Sequence, residues 1–110
     1  MDAKAIIEYP VATMKSAQIT AEITAQIQKY GGKYQEWYCG ITKDVESRLF
    51  GDHGVVKGTN AYSYRNADSD KEARAIEEHF LAKGCQGGNG GGDDESNIIY
   101  AYKIGSNTTE

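Results

Sequence analysis

Proline and cysteine are scarce in this 110-residue chain, which has 1 Pro and 2 Cys. Two cysteines, Cys39 and Cys85, cannot make the dense disulfide framework of a small secreted domain. Neither belongs to a C-x-x-C pair, so a structural zinc site of the usual spacing is excluded. No apolar run reaches the roughly 18 residues of a membrane span, so no membrane partner is expected. The opening MDAKAIIEYP is too short and too acidic for a signal peptide, and a cytoplasmic location is expected. Basic charge is also short: 12 Lys and Arg stand against 16 Asp and Glu, a formal net charge of -4. Between Lys43 and Lys83 seven basic residues face eight acidic ones, with no cluster. A generic nucleic-acid binder with a basic stripe is thereby excluded. A nucleic-acid role has to rest on a specific constellation of residues.

What is present fits one folded domain. The chain is 39% hydrophobic and 25% charged, the balance of a globular protein, and its length is that of a single compact unit. We expect one domain over residues 1–104 and a flexible tail over 105–110. Glycine is plentiful but uneven: 6 of 13 fall between Gly84 and Gly92.

Periodicity places the elements. Lys4–Tyr9 is a strand-like run stopped by Pro10. Ile19, Ile23 and Ile27 recur at i+4 inside a helix predicted from Thr13 to Tyr30, with Thr13 or Ser16 as its cap and Gly31 at its end. Tyr34–Thr42 reads as a strand with Trp37, Cys39 and Ile41 on one face and Tyr38 and Gly40 on the other. Asp44–His53 reads as a short helix capped by Thr42 or Asp44, with Val45 and Leu49 as its apolar stripe and Arg48 beside it. Asn60–Arg65 is a further strand. Ser69–Lys83 is a helix capped by Ser69 and ended by Gly84. Ile98–Ile104 is a strand with Ile98, Tyr100, Tyr102 and Ile104 together on one face. Alternating strands and helices in so short a chain imply a small α+β fold, with a sheet of three or four strands packed by about three helices.

Several polar residues fall where chemistry is expected. Glu77 lies on the apolar face of its helix with Ala73, Ile76, Phe80 and Leu81, while Glu78 points away. A carboxylate there is costly unless it is paired, reaches water at the rim, or holds a metal. Arg48 either lays its stem over the Val45–Leu49 stripe or offers a guanidinium to a phosphate. His53 is a helix-end histidine or a general acid or base. Tyr38 is a packing residue or faces a ligand, and Gly40 leaves room on its side of the strand. The glycine-rich stretch is no P-loop, since no Gly-Lys-Ser/Thr follows. With Asp93, Asp94 and Glu95 it is a turn or a weak cation site.

Tyr38-Cys39-Gly40-Ile41-Thr42, then Asp44, Arg48-Leu49 and His53, followed by Ala73-x-x-x-Glu77, resembles the second half of the GIY-YIG nuclease signature. The resemblance spans roughly residues 34 to 81. It implies a GIY-YIG-like fold and metal-dependent hydrolysis of phosphodiester bonds in nucleic acid. By it, Glu77 would hold Mg²⁺ or Mn²⁺ and Arg48 would stabilise the phosphate charge. Tyr38 would orient or deprotonate the attacking water, and His53 would assist proton transfer. The Gly-Ile-Tyr strand that precedes Tyr38 in the family is missing here. We expect the C-terminal strand to fill its place in the sheet, with Tyr100 or Tyr102 facing the site. Asn97 or Asn89 would stand for the family's late asparagine. The alternative is a catalytically inactive or unrelated module of this shape that binds a protein partner or another ligand.

Overall fold

The computed structural model describes residues 14–88 and 96–110. Two α-helices, α1 (Ser16–Lys29) and α2 (Asp70–Lys83), flank a π-helical turn over Glu46–Asp52 and a short 3-10 turn at Tyr34–Glu36. Three strands, β1 (Trp37–Thr42), β2 (Tyr62–Asn66) and β3 (Ile98–Lys103), form an antiparallel sheet in the order β1-β3-β2. The fold is thus the small α+β domain that the alternation implied. The Lys4–Tyr9 run, Asn89 and the Asp93–Glu95 turn lie outside the described residues.

Helix ends follow local chemistry. Ile19, Ile23 and Ile27 are fully buried, as their i+4 spacing requires. Of the two expected caps, Thr13 lies outside the described residues and Ser16 does not cap the helix. Lys15 stands at the N-cap without a side-chain bond, and the Ser16 hydroxyl instead donates to Glu72 of α2, tying the two helices together. α1 closes on two left-handed glycines, Gly31 (φ 113°) and Gly32 (φ 75°), with the Gly32 N–H donating to the Ile27 carbonyl at 2.8 Å. α2 begins where the Ser69 hydroxyl accepts the Glu72 N–H at 3.1 Å and ends at Gly84 (φ 120°). The strand expected from Tyr34 starts only at Trp37, because Glu36 N–H turns back to the Lys33 carbonyl at 3.0 Å.

Strand alternation separates two layers. Trp37, Cys39, Ile41, Ile99 and Ala101 face α1 and α2 and form the larger core with Ala73, Ile76 and Phe80. The opposite face is aromatic. The register aligns Tyr38 with Tyr102 and Tyr102 with Tyr62 in one row, and Gly40 with Tyr100 and Tyr100 with Tyr64 in the next. Leu49, Phe50 and Val55 from the π-helical turn and the chain after it cover this face. The outer edge of β1 carries residues that follow α2: Cys39 N–H donates to the Gln86 carbonyl at 2.9 Å and Gln86 N–H to the Trp37 carbonyl at 2.7 Å.

Gly40 leaves room on the Tyr38 side, and the Tyr100 ring of the neighbouring strand fills that room. A Cβ at position 40 would stand 2.5 Å from the Tyr100 hydroxyl oxygen and 2.7 Å from its ring carbon Cζ. Gly40→Ala should therefore push a buried ring off its seat. We expect a loss of about 1–3 kcal/mol, read as a lower urea midpoint at unchanged slope.

Candidate functional site

The aromatic face of the sheet collects five of the singled-out residues. Tyr38 comes from β1, Tyr100 and Tyr102 from β3, and Arg48 and His53 from the π-helical turn and its end. The sequence shapes that turn. The Thr42 hydroxyl accepts the Asp44 N–H at 3.0 Å, and the Asp44 carboxylate accepts the Ser47 N–H at 3.2 Å. These bonds start the turn directly off the end of β1. His53 N–H then reaches the Arg48 carbonyl five residues back at 3.0 Å, the wide ring that defines a π-turn. Gly54 (φ 72°) reverses the chain immediately after His53.

The His53 ring is 4% exposed and both of its nitrogens are engaged. Nε2 lies 2.8 Å from the Tyr100 hydroxyl. Nδ1 lies 2.7 Å from the Thr109 carbonyl oxygen and 3.1 Å from the Tyr102 hydroxyl. The Tyr38 ring packs 4.6 Å from the His53 ring and stacks at 5.3 Å on Tyr102. Burial pushes the His53 pKa below that of a free histidine, which outweighs the opposing pull of the Thr109 carbonyl. Burial likewise drives the Tyr100 and Tyr102 hydroxyls well above the usual phenol range. The Arg48 guanidinium beside Tyr100 acts in the opposite direction on Tyr100.

Arg48 has donors to spare. Its Nε is buried without an acceptor, its guanidinium hydrogen-bonds the Tyr100 hydroxyl, and its Nη1 meets the exposed Asp52 carboxylate at 3.5 Å. The side chain as a whole is 39% exposed. Arg48 and the half-buried Tyr38 are the members of the cluster that solvent reaches, while His53, Tyr100 and Tyr102 sit behind them.

Glu77 occupies the other layer. It faces the sheet from α2, is 4% exposed, and is the sole buried carboxylate among the described residues. Burial raises its pKa more than Arg74 lowers it, and Glu78 adds to the rise. Its charge acts on the Cys39 thiol, a residue of the larger core. The groups that raise the Arg48 pKa are Tyr100 first, then Tyr38 and Asp52, all on the aromatic side. No hydrogen bond or ion pair joins Glu77 to Tyr38, Arg48, His53, Tyr100 or Tyr102 among the described residues. No group of three His, Cys, Asp or Glu suited to a metal ion occurs among them either. Asn97 is spent on structure. Its side chain donates to the Ala67 carbonyl at 3.1 Å and its own carbonyl accepts the Ala67 N–H at 2.8 Å, locking the start of β3 to the end of β2.

Two contacts of the site were not read from the sequence. Residues 105–110, expected as a flexible tail, lie against it. Thr109 N–H donates to the His53 carbonyl at 2.8 Å, and Asn107 Nδ2 donates to the Gly54 carbonyl at 3.1 Å. The contact to His53 Nδ1 is made by a backbone carbonyl, which any residue at 109 would supply. The continuation of the tyrosine face onto β2 through Tyr62 and Tyr64 was legible as alternation, but its neighbour in space was not. Phe50 meets Tyr62 edge-on at 5.2 Å, with Lys57 Nζ 4.8 Å from the Phe50 ring centre.

Comparison of this chain with protein-family models, curated proteins and solved structures gives no match. No helix among the described residues is long and apolar enough to cross a membrane.

The signs of the two buried shifts give a test. A histidine whose folded pKa is depressed binds fewer protons when folded, so its contribution is present above the unfolded value of 6.5 and is lost as pH falls through the folded one. Glu77 has the opposite sign, and its cost appears as pH rises from 4.5 through its raised folded value. We therefore expect Glu77→Gln to raise the melting temperature at neutral pH in EDTA and to leave it nearly unchanged at acid pH. His53→Asn should flatten the loss of stability between pH 7 and pH 5 that the wild type shows. Thermal melts across pH check both.

Proposed function

We propose that this chain is a GIY-YIG-like domain that acts on phosphodiester bonds of nucleic acid. Its central C-terminal strand takes the sheet position of the family's Gly-Ile-Tyr strand. One observation carries the proposal: Tyr38, Arg48, His53 and Tyr100 come together on one face although they lie up to 62 positions apart in the chain. The spacing of Tyr38, Arg48 and His53 is local, but Tyr100 reaches them only because β3 pairs directly with β1.

The chemistry follows from the donors. Arg48 is partly exposed, and among the described residues its guanidinium is held at the surface only by the 3.5 Å contact to Asp52, a fork suited to two oxygens of a phosphate. Fixed donors of this kind are worth most where charge develops on the phosphate oxygens. Tyr38 stands at the solvent side of the cluster and would contact the attacking water. The His53–Tyr100 pair behind them would hold or pass a proton. The net charge of -4 makes binding to the nucleic-acid backbone weak and salt-sensitive. The cation implied by the resemblance, Mg²⁺ or Mn²⁺, would rest on Glu77. The described residues bring that carboxylate no second ligand and seat it apart from Arg48, so they do not fit a shared cation site and no step is routed through one.

That separation favours a second reading, a module that binds phosphate-bearing ligands on the same face without cleaving them. A cleavage assay on single- and double-stranded DNA and RNA, with Mg²⁺ or Mn²⁺ present, distinguishes the two. Hydrolysis by the wild type, lowered about 10²–10³-fold in kcat/KM by Arg48→Ala, supports the nuclease. Binding that Arg48→Ala abolishes, with no hydrolysis in any condition, supports the module. Ligand-independent behaviour of Arg48→Ala would remove the site from either function.

A further inference from the structure

We propose that the backbone carbonyl of Thr109 is a positioning group that fixes the tautomer of His53 and, through Tyr100, the orientation of Arg48. A carbonyl oxygen only accepts, so the 2.7 Å contact to Nδ1 requires the proton on Nδ1. A buried neutral imidazole then presents a lone pair at Nε2. The Tyr100 hydroxyl, 2.8 Å away, must donate to it. With its hydrogen committed to His53, the Tyr100 oxygen offers its lone pairs to the Arg48 guanidinium, which only donates. The same direction holds at the other end. The Tyr102 hydroxyl donates to the second lone pair of the Thr109 carbonyl at 3.3 Å. The reverse tautomer would set the Nδ1 lone pair against the carbonyl oxygen at 2.7 Å and aim an N–H at the oxygen that Arg48 needs.

The C-terminal segment is held for this purpose at two points of one residue. Thr109 N–H donates to the His53 carbonyl at 2.8 Å while Thr109 C=O accepts from the His53 ring. Asn107 adds bonds to the Gly54 carbonyl at 3.1 Å and to Asn60 Oδ1 at 2.8 Å. The tautomer rests on the nearer contact: the Thr109 carbonyl, which can only accept, lies 2.7 Å from Nδ1, and the Tyr102 hydroxyl, which can accept the same N–H, lies 3.1 Å away. Its effect on turnover rests on the phosphodiester function proposed above.

Imidazole nitrogen-15 shifts of His53 at about pH 8, where the ring is neutral, decide the first part. The wild type should show the Nδ1–H form, although a free histidine favours Nε2–H. Thr109→Ala keeps the carbonyl and should leave the signal unchanged. Thr109→Pro removes the N–H clasp, and a chain ending at Asn107 removes the carbonyl. Both should move His53 toward Nε2–H. In a cleavage assay both should lower kcat by about 10-fold or more with a smaller change in KM, and Thr109→Ala should match the wild type. An Nε2–H signal in the wild type overturns the proposal without any variant. So does a signal that stays Nδ1–H in the shortened chain. The expected tautomer shift in proteins that all fail to cleave keeps the relay and rejects the nuclease.

Discussion

The structure depends on β3 lying in the middle of the sheet. β1 and β2 share no ladder with each other, and each pairs along its length with β3. Four of its residues serve both layers: Ile99 and Ala101 enter the larger core, and Tyr100 and Tyr102 enter the aromatic one. The strand therefore has to be apolar or aromatic on both sides, which explains why IIYAYK is the least polar run near the C-terminus. Partners of β1 lie about sixty positions away along the chain, so closing this ladder is entropically expensive and is repaid only when both faces are buried. A protein built this way cannot assemble its aromatic face before its last strand docks.

The site inherits that dependence. Gly40 is the point where the sheet gives way to it, since the Tyr100 ring lies across the glycine where a Cβ would stand. The π-turn is the second device. Widening one helical ring carries His53 under the aromatic row while leaving the Arg48 side chain partly in solvent. A regular helix would change the angle between these two side chains, which is the usual reason for a π-bulge beside a functional group. The buried hydroxyls and imidazole form a connected polar group whose members satisfy one another, so a water-free interior tolerates them.

Much of this was legible in the sequence because it is periodic. The Ile19–Ile23–Ile27 stripe, the alternation of Trp37, Cys39 and Ile41 against Tyr38, and the Ser69 cap each follow from a local rule, and each is found as read. Tyr100 and Tyr102, which were expected to face Tyr38, stand beside it. The misreadings share a cause. The Ser16 cap failed because its hydroxyl found a carboxylate 56 positions away. The tail looked free because its anchors, the Thr109 backbone and the Asn107 amide, reach partners about fifty positions away that no local pattern announces. Glu77 was correctly placed on a buried face, but a helix wheel does not say which side of the sheet that helix covers.

The side of the sheet is what gives the domain its electrostatic polarity. On the side of the larger core the buried carboxyl and the two thiols are pushed toward neutrality. Burial raises Glu77, raises Cys85 to about 11, and raises Cys39 well above the usual thiol range, with Cys85 and Glu77 contributing to the rise at Cys39. On the aromatic face the buried histidine and tyrosines are also held neutral, but they surround a guanidinium whose own pKa rises. Neutral phenols and a neutral imidazole do not compete for that cation as carboxylates would, and the one carboxylate that touches it, Asp52, is exposed and 3.5 Å away. Among the described residues Arg48 is thus a partly exposed cation framed by aromatic rings on the partly open side of the sheet. An anion arriving there would find its partner already oriented and would displace only a solvent-screened contact.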